Sequence, residues 1–302
     1  MRHHAAGVWT ALAAAVAWMP LGAQAGLPRF CDQATPLSAP QQARLLRVSA
    51  TVKDVLERTG QRVALVSRSG LDLDRIGLRY SHSGYTARDS ANGPWSVRQL
   101  YYACDAGEPK LFDQGLSGFL FGTNDPDHGA LSLVFLPPGA AERLERAVLD
   151  TRQALALLGA TYSANAHAWS QRYQNCNQWT VELFAAAQGD LGPNADRAAA
   201  QQWLQAQGYA PSVIDLGFHP LLWLAALSPW LHHDDHPPED LNAARYRVSM
   251  PASIEAFVRA TVPGATRIEI CHADQRIVVH HGWTPIAEGC HAGDMDTVVA
   301  LD

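Results

Sequence analysis

Lysine is nearly missing from this chain: Lys53 and Lys110 are its only two, and charged side chains make up just 17% of the 302 residues. With 23 basic against 29 acidic residues and a net charge of −6, there is no basic surface to serve DNA or RNA, and the preference for arginine reflects genomic composition. No apolar run reaches the roughly 20 residues that a bilayer span needs. Rossmann and P-loop glycine patterns are absent, as are internal repeats. Gly115-Leu116-Ser117-Gly118 falls short of a nucleophile elbow because Phe119 takes the second glycine position, which argues against a serine hydrolase. What is present is 47% hydrophobic residues in a chain long enough for one large domain or two small ones with a packed core.

The first residues point to export. Arg2, His3 and His4 precede an apolar stretch from Ala5 to Trp18, Pro20 breaks any helix, and Ala23-Gln24-Ala25 offers the small-x-small pattern of a signal peptidase site. Residues 1–25 are therefore expected to be a signal peptide, cleaved after Ala25 to leave a periplasmic or secreted protein. All five cysteines lie beyond that point, in a compartment that pairs them. Cys271 and Cys290 bracket a segment with the look of a hairpin, and Cys31 and Cys104 each border a strand or helix end. Two disulfides follow, Cys271–Cys290 and Cys31–Cys104, and Cys176 is left as the free thiol.

Ser38-Ala39-Pro40-Gln41 is a capping box, and Leu45, Val48, Val52 and Val55 continue at helical spacing until Gly60. Short β-type runs follow at Arg62–Ser67, Tyr80–Thr86, Trp95–Cys104 and Leu131–Leu136, separated by turn residues. Helices are expected over Ala140–Leu158, from Cys176 to near Gly189, over Ala195–Gln207 and over the apolar Pro220–Leu231. Strands first and helices after is the segregated order of an α+β domain with an antiparallel sheet. Residues 26–231 form this main domain. Residues 232–302, with a short helix at Ser253–Ala260 and the cysteine-bracketed hairpin, read as a C-terminal appendage.

The chemistry concentrates in Tyr173-Gln174-Asn175-Cys176-Asn177-Gln178-Trp179. A thiol at the start of a helix meets unpaired N–H groups and the positive dipole end, which favour the nucleophilic thiolate, and the same N–H groups can hold an oxyanion. A cysteine nucleophile needs a base, and His82 stands at the start of a strand with Gly84 two residues on, where another backbone can approach closely. Gln99 shares a strand face with Val97 and Tyr101 and needs a polar partner there, so it can orient the imidazole. The adjacent His232, His233, Asp234, Asp235 and His236 carry ligand-type atoms, but neighbouring residues beside Pro237 and Pro238 do not share a face, and packing or surface roles are expected. The motifs call for no metal and no cofactor. Phe218 to Leu231 is too short to cross a membrane, yet could line an acyl-binding groove or touch a membrane surface.

A His-x-Gly-aromatic strand, a polar residue on the next strand, and Asn-Cys-polar-polar-aromatic opening a downstream helix together resemble the circularly permuted branch of the NlpC-type papain-like thiol hydrolases, the branch that includes lecithin:retinol acyltransferase. Over most of its mature length the chain is also similar to an exported bacterial family, domain of unknown function 2145. The resemblance implies a papain-like core with Cys176 as nucleophile, His82 as general base and Gln99 as orienting residue. It covers about Leu65 to Phe184. Two features depart from the pattern: the third position carries an amide where His or an acid is usual, and the apolar helix and tail exceed the core fold. The expectation is a thiol hydrolase or acyltransferase acting on an amide or ester, from a cell-wall peptide or a lipid-like acyl group. Its rival is a non-catalytic exported binding module that keeps the fold.

Overall fold

Strand β1 (Val63–Arg68) is buried along its whole length, yet Val63 and Leu65 join one apolar cluster while Ala64 and Val66 join another. Side chains of a strand alternate between faces, so an unbroken apolar run marks a strand covered on both sides. The computed structural model describes residues 36–71, 73, 76–217, 228 and 230–301. The expected signal peptide, Cys31 and most of the apolar segment 218–231 lie outside the described residues.

Beside β1 run β2 (His82–Ala87), β3 (Ser96–Ala103), β4 (Glu108–Gln114) and β5 (Gly129–Phe135). A ribbon of β6 (Ser212–Asp215) and β7 (Arg245–Val248) stands apart, and β8 (Thr266–Ala273), β9 (Arg276–His281) and β10 (Thr297–Ala300) close the chain. The main sheet is antiparallel throughout, in the order β10-β9-β8-β5-β1-β2-β3-β4. Helices α1 (Ala39–Arg58) and α2 (Leu116–Leu120) cover one face through Val48, Val52, Leu56 and Phe119. The other face is covered by α3 (Pro138–Leu149), α4 (Thr151–Ala156), α5 (Cys176–Gln188), α6 (Arg197–Ala206) and, beyond the short α7 (Pro238–Asn242), α8 (Pro251–Thr261). This is an α+β fold with a large antiparallel sheet packed against helices.

Three features differ from the sequence reading. The single helix expected over Ala140–Leu158 is two, because Asp150 is extended and its carboxylate caps the N–H groups of Arg152 and Gln153, restarting the helix there. Strand β4 was absent from the expected set. The segment read as an appendage supplies three strands of the main sheet, with Gly129–Phe135 of β5 paired along Thr266–His272 of β8. Cys271 is disulfide-bonded to Cys290, at the end of a short turn after β9. Cys104 is disulfide-bonded as well, and Cys176 is free and buried.

Candidate functional site

Cys176 is the first residue of α5. Asn175 caps the helix, its side chain accepting from the Gln178 N–H at 2.7 Å. The segment before it, from Leu157 to Asn175, has almost no regular structure and is held by side chains instead. Gln174 accepts from the Gly159 N–H and donates to the Leu157 carbonyl and to Glu182. Arg197 pairs with Glu182 at 3.0 Å and donates to the Ser170 and Tyr173 carbonyls, while Gln178 donates to the carbonyls of Ala168 and Ser170. Glu182 is fully buried and burial pushes its carboxyl up, against the pull of Arg197, Gln201 and Gln174. This network fixes where α5 begins. The sequence reading missed it, since Gln174, Gln178 and Glu182 look like the exposed side of an amphipathic helix.

The imidazole is held by the amide expected to hold it. His82 Nε2 lies 2.5 Å from Gln99 Oε1, and Gln99 Nε2 donates to Gln114 Oε1 at 2.6 Å, an arrangement in which the ring nitrogen is the donor. The tautomer assigned by this chain carries its proton on Nε2 and leaves Nδ1 as an acceptor. The ring lies against Tyr101 and Phe119, with centroids 4.8 and 5.9 Å away.

Asn177 joins the thiol's helix to the histidine's strand. Its amide donates to the Ser81 carbonyl at 3.1 Å and accepts from the Ser83 hydroxyl at 2.8 Å, so the residues on both sides of His82 are bonded to the residue after Cys176. Further along, the Tyr85 hydroxyl donates to the Thr180 carbonyl, and the Thr180 hydroxyl bonds the Ser83 carbonyl. Strand alternation gives Ser83 and Tyr85 to α5, while His82 and Gln99 share the face of Val97 and Phe119. His82 and Gln99 are thus in direct contact on one face of the sheet, whereas Cys176 opens the helix packed on the other face and is joined to the His82 strand through Asn177.

Burial governs the protonation of both groups. It drives the His82 imidazole down to about 3, the charge of Arg68 adding to the effect and the Gln99 bond opposing it. It pushes the Cys176 thiol up to about 12, against the backbone N–H groups of Asn177, Cys176 and Ser83 and the Arg68 charge. The expected fall in the thiol pKa at a helix N-terminus is therefore not met, because loss of water outweighs the helix end. Thiol and imidazole are both uncharged at neutral pH in this state.

The histidine-rich loop packs rather than clusters: the His232 ring stacks on Tyr173 at 4.3 Å, and His236 Nε2 donates to the Asn165 carbonyl at 2.8 Å. Among the described residues no three His, Cys, Asp or Glu side chains are arranged to hold a metal ion.

Fold and site together define an α+β protein with a cysteine opening a buried helix beside a histidine–glutamine pair on the sheet. The family model for an uncharacterized protein conserved in bacteria, DUF2145, matches residues 55–258, and the chain belongs to that family. The matched stretch holds His82, Gln99 and Cys176 and stops within α8, before the last three strands of the sheet. No curated protein and no solved structure matches the chain.

Proposed function

We propose that this protein is a cysteine-dependent hydrolase or acyltransferase acting on an amide or ester, with a permuted papain-like core. The observation that carries the reading is the His82–Gln99 hydrogen bond, made by the ring nitrogen that leaves Nδ1 free to accept, beside a helix that begins at Cys176. Cys176 Sγ attacks the carbonyl carbon while its proton passes to His82 Nδ1, a transfer that requires the ring to turn from the Phe119 face of β2 toward the start of α5, where the N–H groups receive the oxyanion. His82 then protonates the leaving amine or alcohol, giving a thioester. Water or another acceptor attacks next, losing its proton to His82, and the thiol is restored. Since both groups rest uncharged, proton transfer accompanies the attack instead of preceding it. Gln99 orients the ring but supplies no charge to an imidazolium.

Two disulfide-bonded sites suit an oxidising compartment, and no helix among the described residues is long and apolar enough to cross a membrane. Export through residues 1–25 to the periplasm or beyond belongs to this proposal, with a cell-wall peptide or a lipid-like acyl group as substrate.

The burial of Cys176 favours one other reading, a binding module in which the thiol only fills space. Alkylation by iodoacetamide at neutral pH, followed by peptide mapping, separates the two. A nucleophile is labelled in the native protein and slows by about a hundredfold or more in His82→Ala, the scale of a lost general base. A structural thiol is labelled only after unfolding, at a rate indifferent to His82.

A further inference from the structure

The two edges of the main sheet are built differently. Strand β4, at one edge, carries Pro109 and Lys110, residues that keep a stray strand from pairing. Strand β10, at the other, reads Thr297-Val298-Val299-Ala300, without proline or charge, and all four residues are exposed. Met295, Val298 and Val299 are among the few large apolar side chains exposed in the described residues, and they gather in this one stretch.

The register shows what β10 leaves open. It runs antiparallel to β9, with Thr297 opposite Val279 and Val299 opposite Ile277, and the Leu301 N–H donates to the Gln275 carbonyl. Ladder bonds alternate along an antiparallel strand, so Thr297, Val299 and Leu301 bond to β9. Val298 and Ala300 therefore turn their N–H and C=O groups away from the sheet, and among the described residues no hydrogen bond takes them. Side chains alternate as well, and Thr297 and Val299 point toward α1. Between α1 and β10 lies a groove of about 300 Å³ walled by Val55, Ile268, Val279 and Val299, large enough to be a ligand site. Asp54 and Arg58 line its α1 side one helical turn apart, in the order that usually pairs on a helix. Yet among the described residues neither has an ion-pair partner.

We infer that this edge and groove dock an extended peptide segment of another protein. The segment adds a strand beside β10, bonds through its backbone to Val298 and Ala300, and sets one apolar side chain against Val299 in the groove. Its side chains two places to either side share that face, where a base meets Asp54 and an acid meets Arg58. Docking there is independent of Cys176, since α1 and β8 to β10 alone build the surface.

Fluorescence anisotropy with the peptide fluorescein-Lys-Thr-Val-Thr-Glu-amide tests it. The peptide should bind saturably, with a Kd under about 1 mM. Replacing its valine by aspartate, or methylating the backbone nitrogens of its two threonines, should weaken binding about fivefold or more, the scale of a lost apolar contact or of lost backbone hydrogen bonds. Val298→Pro should weaken it as much, and because that N–H faces outward the variant keeps every bond to β9. Arg58→Glu should lose the peptide and regain binding when the peptide's glutamate becomes lysine, a rescue that a damaged fold cannot give. If the peptide does not bind, or binds equally to Val298→Pro and Arg58→Glu, the docking site is wrong. If the protein ignores the peptide but sediments as a dimer that Val298→Pro returns to monomer, the edge serves a second copy and the peptide partner is wrong.

Discussion

At the scale of single residues, the site shows which sequence signals survive folding. Gln99 was legible because strand parity puts it on the face of Val97 and Tyr101, where an amide must find a partner, and the partner is His82. Changing that amide to an acid tests its role directly. In Gln99→Glu a negative charge replaces a neutral acceptor, favouring the imidazolium, so the His82 pKa should climb from about 3 by more than about one pH unit. NMR titration of the ring C–H signals reads it, and an unmoved pKa would mean that Gln99 does not govern the ring. The thiol was misjudged for a different reason. Helix-end electrostatics can be read from sequence, but α5 is buried from Cys176 through Ala187, and the water lost on all sides depends on α3, α6 and the sheet closing around it. Arg68 gave no signal at all, since an arginine at a strand end ordinarily reaches solvent.

Among the elements, those with strong periodicity were found and those at edges were not. Strands β1, β2, β3 and β5 have apolar cores and neighbours on both sides, and their positions were readable to within a few residues. Strand β4 contains Pro109 and Lys110, and β10 is exposed along its length; both are edge strands, where one side needs no partner and an apolar pattern is not required. The pairing of β5 with β8 was beyond reach, because local pattern carries no information about a partner so distant in the chain. Between β2 and β3 the glycine two residues after His82 has a definite role. A Cβ on Gly84 would lie 2.7 Å from the Arg98 carbonyl oxygen and 3.1 Å from Gln99 Cβ, and that carbonyl is backbone held in the sheet. Gly84→Ala should therefore destabilise the protein by about 1–3 kcal/mol, as overpacking does, and should loosen the His82–Gln99 pair as β3 shifts. Urea unfolding measures the first effect; unchanged stability would show that β3 yields freely.

For the molecule as a whole, the last strands brace the first ones around the site. Tyr80, two residues before His82, donates to the fully buried Glu269 of β8 at 2.5 Å, and Glu269 also holds Arg79 and Arg267. The C-terminal strands thereby anchor the segment that enters β2. The same burial makes the whole fold sensitive to acid. His82, His167, His233, His236 and His272 all have their pKa lowered, with loss of water the first cause in each. A histidine lowered in the folded state binds fewer protons than in the unfolded chain, so stability falls as pH drops below about 6.5 and keeps falling until the folded pKa is passed. Glu182 and Glu255, raised by burial, act with the opposite sign, so a variant that isolates one histidine is the cleaner measurement. His272 is suited to it: it is lowered to about 4, lies away from the Cys176 helix, and leaves its Nδ1 without a partner. His272→Asn cannot take up that proton. Between pH 6.5 and about 4 the unmutated protein should lose stability relative to His272→Asn at up to about 1.4 kcal/mol per pH unit, and below pH 4 the difference should level off. Urea unfolding of both proteins across that range decides it; curves that stay parallel would mean that His272 titrates alike folded and unfolded, and that burial does not hold it neutral.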